Sequence, residues 1–196
     1  VYNIHPVQVA NWKKQAIEAL PEALSDRRTR TERREEEQKR ELYEQIGKTE
    51  KALKTYQKVL DLPGPDNDQL QYEVADCYFR LNNFEQARIE FENLLNNDPY
   101  SGLAAEVRYR IAMTYALEGK LPDAAAAYRL VIQDWPDSPY AVVASFGLAT
   151  VLEEQEELLE ALKILQELEG IYPKQDILKR KTDQVRERIE KKKKAI

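Results

Sequence analysis

Residues 103–136 read LAAEVRYRIAMTYALEGKLPDAAAAYRLVIQDWP, and this stretch decides the fold. Val107, Ile111, Ala112 and Tyr115 recur at helical spacing and predict one buried face from Leu103 to Leu117. Gly119 supplies a turn, and Pro122 suits the first turn of a second helix. Ala124, Tyr128, Val131 and Ile132 give that helix its apolar face, and Trp135-Pro136 ends it. The unit is a helix-turn-helix hairpin.

The hairpin recurs. Ala87, Ala124 and Ala161 stand 37 residues apart, each followed four residues on by Phe91, Tyr128 or Leu165 and twelve on by Pro99, Pro136 or Pro173. A fainter copy has Ala52, Tyr56 and Pro63. The second unit reads Val74, Ala75 and Tyr78, then Ala87, Phe91 and Leu94; the fourth reads Leu148, Ala149 and Leu152, then Ala161, Leu165 and Leu168, stopping at Tyr172-Pro173. Small residues belong where helices cross closely, with aromatics filling the space beside them. A fixed period of this size predicts stacked repeats.

These residues resemble the tetratricopeptide repeat (TPR). Val74-Ala75 and Tyr78, Ile111-Ala112 and Tyr115, and Leu148-Ala149 and Leu152 stand at its helix A positions, while its usual Trp is replaced by Gln71, Arg108 and Ser145. The resemblance covers residues 33–175 and implies an all-α fold, an α-solenoid of TPR-like hairpins closed by a C-terminal capping helix. The units fall at about 33–66, 68–101, 105–138 and 142–175 within a repeat region of 27–175. The joints Asp98-Pro99-Tyr100-Ser101 and Trp135-Pro136-Asp137-Ser138-Pro139 lengthen the period beyond the TPR norm. Ser138 is a good N-cap and Pro139 a good first helical residue, so a longer helix A is expected there. Such joints resemble those of bacterial envelope TPR proteins, including barrel-assembly lipoproteins and the TPR protein of the Tol–Pal system. Membership would imply scaffolding in envelope assembly, in the periplasm or at the inner face of the outer membrane.

The resemblance also implies a binding surface, because helices A of such stacks line a concave groove. Its position five falls on Tyr72, Tyr109 and Phe146, an aromatic ladder with one rung per repeat. Asp76, Phe79 and Arg80, then Met113, then Thr150 flank it, with Gln69, Glu106, Leu117, Val143 and Glu154 nearby. Aromatic and Met side chains offer large contact area at little ordering cost, which suits capture of a peptide or amphipathic helix. Each ring could equally pack on the adjacent helix as core. The Lys and Asn clamp that chaperone-tail TPR domains use is missing, since Tyr72, Asp76, Tyr109 and Met113 stand at those positions.

The flanks carry most of the charge. Val9, Trp12, Ala16, Ile17 and Leu20 predict an amphipathic helix in an N-terminal extension of residues 1–26. Arg27 to Glu44 holds seven basic and six acidic residues, read as an exposed first helix A supported by side-chain pairs. The basic cap and tail span 176–196, where Leu178, Val185 and Ile189 share one side. Residues 174–194 sum to +6 within a chain of net charge −5, leaving −11 on residues 1–173. Lys191 to Lys194 could contact anionic lipid or nucleic acid, but no aromatic platform is interleaved, which disfavours nucleic acid.

Catalysis finds no purchase. The sole histidine is His5, so a Ser-His-Asp or Cys-His arrangement lacks a base in the repeats. No Gly-rich phosphate loop exists among the six glycines, and Cys77 alone can form neither disulfide nor cysteine metal cluster. Cys77 reads as buried core. No cofactor, metal or catalytic residue is expected. No apolar run is long enough to span a bilayer. The chain opens on Val1 rather than Met, so a signal or lipid anchor upstream stays open. The expected function is a non-catalytic adaptor that binds a partner polypeptide in the groove. The rivals are self-assembly or tethering through the N-terminal helix, and surface contact through the basic tail.

Overall fold

The computed structural model describes residues 44–60 and 68–194. Two units divide the chain, Val1–Lys48 and Thr49–Ile196, and nearly all described residues lie in the second. The expected extension 1–26, His5, the charged stretch up to residue 43 and Pro63 fall outside the described residues.

The described residues form eight helices and no strand. Helix α1 covers 44–60, followed by α2 (Asp68–Arg80), α3 (Phe84–Asn97), α4 (Ala104–Leu117) and α5 (Leu121–Asp134). Then come α6 (Pro139–Glu154), α7 (Leu158–Glu167) and α8 (Gln175–Lys194). From α2 onward each helix packs on the next in sequence, and α4 also meets α6. Contacts confined to a hairpin and its neighbouring hairpin are the mark of a repeat stack. Leu53 of α1 is buried with Val74 and Cys77 of α2, with Ala52 and Tyr56 packed against them.

The period is written into the backbone as well as the side chains. Asn82 (φ 58°), Gly119 (φ 73°) and Glu156 (φ 67°) are left-handed and stand 37 residues apart. In each turn the next N–H reaches back five residues: Asn83 to Tyr78 O at 2.9 Å, Lys120 to Tyr115 O at 3.0 Å, Glu157 to Leu152 O at 2.9 Å. This is the Schellman closure, which satisfies carbonyls the helix end would leave unpaired. Asn and Gly tolerate the left-handed region; a glutamate there costs roughly 1–2 kcal/mol. One period before Asn82 stands Gln45, and it is helical within α1.

Close crossings account for the alanines. Ala75, Ala112 and Ala149 on the first helices and Ala87, Ala124 and Ala161 on the second are all fully buried. Phe91, Tyr128 and Leu165 fill the space beside them. Tyr128 of α5 lies directly on the backbone of α6: a Cβ added to Gly147 would meet its Cζ at 2.6 Å.

Ser138 Oγ accepts the Tyr140 N–H at 3.2 Å with Pro139 behind it, and α6 runs 16 residues against 14 in α4 and 13 in α2. The serine-proline joint therefore lengthens helix A at that joint. The fourth unit departs from expectation. Its second helix stops at Glu167, well before Tyr172-Pro173, because Gly170 turns left-handed (φ 79°) and leads the chain out early. Helix α8 then closes the stack on α7, burying Leu178, Thr182 and Val185.

Candidate functional site

Helices α2, α4 and α6 bring the groove candidates together, in three different environments. Tyr72 is core: it is 8% exposed and its ring centroid lies 5.7 Å from that of Phe91. Its hydroxyl donates to Glu106 Oε1 at 2.5 Å and accepts from Arg110 Nε at 3.2 Å. Burial, then the Glu106 carboxylate, push its pKa far above the ordinary phenol value. Asp76 is 4% exposed, yet two guanidinium groups reach it, Arg80 Nε at 2.6 Å and Arg110 Nη2 at 3.5 Å. Arg110 also stands over the Phe79 ring at 5.3 Å, and Phe79 meets Phe84 edge-on at 5.7 Å. The result is a neutral network of two carboxylates and two arginines around a phenol. Arg110 is held from several sides, whereas the Arg80 side chain is 66% exposed.

The second and third rungs differ. Tyr109 is half-buried between Tyr128 at 6.1 Å and Tyr140 at 5.9 Å. Tyr140 is pushed up to about 12 by burial and by Glu106. Phe146 stacks on Tyr172 with centroids 4.6 Å apart and planes within 18°. The Thr150 hydroxyl donates to Phe146 O at 3.0 Å, and Met113 is half-buried on α4 one turn after Tyr109. Leu117, one turn further, is 57% exposed. The three rings therefore share a register without forming equivalent rungs, and Tyr72 offers a partner almost no surface.

Sequence reasoning passed over Arg110, Tyr140 and Tyr172. Arg110 was readable as the partner of Glu106 at four-residue spacing. Tyr172 gave no such signal, since only the early end of α7 swings it onto Phe146.

Two further charged clusters join helices. Arg88 of α3, 8% exposed, donates to Thr114 Oγ1 at 3.2 Å and Glu118 Oε2 at 2.5 Å, with its guanidinium 4.5 Å above the Tyr115 ring. The Arg88 hydrogen bond, with Lys120 behind it, holds the Glu118 carboxyl below its usual pKa. At the other end Glu153, 1% exposed, faces Lys181 and accepts from Gln184 Nε2 and Arg188 Nη1, both at 3.0 Å. Arg188 also pairs with Glu156, whose other oxygen lies 2.5 Å from Lys192 Nζ. Much of the basic tail is thus engaged in fixing α8 to α6. Lys191 and Lys193 pair within the helix with Glu187 and Glu190.

Cys77 is buried, and burial raises its thiol pKa, the opposite of what a reactive thiolate needs. Among the described residues no cluster of His, Cys, Asp and Glu is gathered for a metal, and no helix is long and apolar enough to cross a membrane.

Two tetratricopeptide repeat models match the chain, over residues 44–108 and 81–139. Over residues 44–139 the chain is thus similar to tetratricopeptide repeats. The same fold appears in crystallised kinesin-light-chain nearly identical TPR-like repeats of Podosopora anserina. That structure has a TM-score of 0.61 at 15% identity, covering 78% of this chain and 84% of that one. A point variant of those repeats matches with a TM-score of 0.58 at 13% identity, covering 99% and 92%. No curated protein matches this chain by sequence. TPR folds commonly serve as protein–protein interaction scaffolds, and no enzyme family is indicated.

Proposed function

We infer that the TPR array is a non-catalytic scaffold that holds a partner polypeptide against the wall formed by α2, α4 and α6. One observation carries this reading: half-buried Tyr109 and Met113 and exposed Leu117 run up a single face of α4, beside the charge network of Asp76, Arg80, Glu106 and Arg110. An apolar strip flanked by fixed guanidinium and carboxylate groups provides an anchor and a means of orienting what binds. The rigidity of the wall keeps the ordering cost low. Replacing the half-buried Met113 and the exposed Leu117 together (Met113→Glu with Leu117→Glu) tests it by partner capture at unchanged helicity. Retained capture would remove the wall from consideration.

The boundaries 1–26, 27–175 and 176–196 remain our division of the chain. A place in the cell envelope is supported by the resemblance of the serine-proline joints, with Ser138 capping α6 as such a joint requires. Fractionation of the native protein tests this; a wholly cytosolic pool would dismiss it, and with it an upstream lipid anchor.

A further inference from the structure

A notch of about 220 Å³ opens between α5, α6 and α7 and shares no residue with the groove candidates. Ile132, Val142 and Ile164 on its lining are half-buried, and Ile171 is 63% exposed, so its apolar surface is open to an occupant. The period shows how it arises. Ser145 stands where the two preceding units carry the long side chains of Gln71 and Arg108. Its hydroxyl donates to Ala141 O at 2.9 Å and is satisfied within its own helix. Around this gap the neighbours turn more apolar over one period: Val142 replaces Ala105, Ile164 replaces Ala127 and Ile171 replaces Asp134. A long side chain has been withdrawn and the surrounding walls made aliphatic. Sites for drug-sized ligands run roughly 300–1,000 Å³, so this smaller notch suits a single large side chain.

The charge around the notch has one sign. Segments 132–142 and 164–171, which supply most of its lining, hold Asp134, Asp137, Glu167 and Glu169 and no Lys or Arg. Lys163, just outside, reaches Glu167 only at 3.9 Å with its side chain 76% exposed, and Arg129 is engaged with Glu160 at 3.0 Å. Asp134, Asp137 and Glu169 have no cationic partner among the described residues. Helices α5 and α7 both end here, and neither carries a basic residue in its last turn. The partial negative charge of two helix C-termini therefore adds to the carboxylates.

We propose that this notch is a second docking site, which takes one large apolar side chain from a basic segment of another protein. The anchor side chain fills the space above Ser145 between Ile132, Val142, Ile164 and Ile171. Lysines or arginines on either side of it meet Asp134, Asp137, Glu167 and Glu169. An apolar anchor in a pocket with complementary charge at its rim supplies affinity and orientation together.

Fluorescein-labelled peptides Lys-Arg-Lys-X-Lys-Arg-Lys, with X as Leu, Phe, Trp or Ser, titrated with the full chain and read by anisotropy, test the site. At least one apolar-centred peptide should bind saturably and at least about tenfold more tightly than the Ser peptide. Ser145→Gln, which restores the side chain of the second unit without changing charge and should melt as wild type, is expected to erase that preference. Asp134→Lys with Glu167→Lys should weaken every version at least about tenfold. Met113→Glu with Leu117→Glu should leave binding unchanged, which separates this site from the wall of α2, α4 and α6. Absent binding, equal binding of the Ser peptide, equal binding of peptides with Glu for every Lys and Arg, or a preference that survives Ser145→Gln would overturn the proposal. Sedimentation supplies a second arm. A monomeric chain agrees with a foreign segment in the notch, whereas a dimer abolished by Ser145→Gln would give the notch to a second copy and overturn the assignment.

Discussion

Arg188 on α8 bonds the buried carboxylate of Glu153 on α6, Nη1 to Oε1 at 3.0 Å, and the same guanidinium reaches Glu156 in the turn beyond. One side chain thus fixes the closing helix both to the interior of the last repeat and to its left-handed corner. Lys181 and Gln184 complete the shell around Glu153. Removing the carboxylate while leaving its cationic partners half-covered should be costly. Glu153→Ala is expected to destabilise the array by about 3 kcal/mol, the scale for breaking a buried ion pair. Urea unfolding followed by circular dichroism measures it. Because α8 has no successor to hold it among the described residues, the loss should begin there, as early hydrogen exchange in Leu178 to Ile189.

The same carboxylate gives the fold an acid limit. Burial raises its pKa, but the bonds from Lys181 and Arg188 outweigh burial and hold it below the ordinary 4.5. Its folded-state pKa is thus lower than its unfolded-state value. The stabilisation is complete above the unfolded value and is lost as pH falls through the folded one. Stability measured from pH 6 downward should stay level to about pH 4.5 and then decline, with the slope contributed by Glu153 absent in Glu153→Gln. An identical pH profile in that variant would show that the network is not coupled to folding.

Glycine 119 isolates the cost of the turn. Its φ is 73° and an added Cβ would meet nothing within 4 Å, so any penalty belongs to the backbone alone. Gly119→Ala should destabilise by about 1–2 kcal/mol, the cost of a side chain in the left-handed region. Glu156→Gly relaxes the corresponding corner but loses the contacts to Arg188 and Lys192. The two effects separate with salt, and the variant should gain on wild type as ionic strength rises.

Gly147 obeys a different constraint. There the φ is ordinary and the obstacle is the Tyr128 ring, 2.6 Å from where a Cβ would stand. Alanine normally improves a helix interior by about 1 kcal/mol. Here overpacking should reverse the sign and cost about 1–3 kcal/mol. Tyr128→Leu in the Gly147→Ala background should recover part of the loss, since it removes the obstructing ring. A Gly147→Ala protein that melts higher than wild type would show that the ring yields freely.

Much of the fold was legible because the period repeats the same physical demand. An alanine is needed wherever two helices cross closely, and Ala87, Ala124 and Ala161 mark it with no tertiary information. The turn at Gly119 was legible for the same kind of reason. Glu156 was not, because glutamate carries no turn preference, and its corner follows from the Schellman closure and from cations 32 and 36 residues further on. The early end of α7 could have been read from Gly170, a stop signal masked by the stronger expectation of Pro173. In the candidate site, register was readable and exposure was not. Tyr72, Tyr109 and Phe146 occupy one motif position, but what lies beside each (Phe91 and Arg110, two tyrosines, Tyr172) is set by contacts remote in the chain.

The central claim is that the wall of α2, α4 and α6 binds a polypeptide, and peptide-library selection on the immobilised chain tests it most directly. Selected peptides should bind the wild-type chain and lose at least about tenfold in affinity, some 1.4 kcal/mol, when Met113→Glu and Leu117→Glu are combined in a protein of unchanged melting temperature. Peptides that bind both proteins equally, or a selection that enriches nothing above background, would contradict the account.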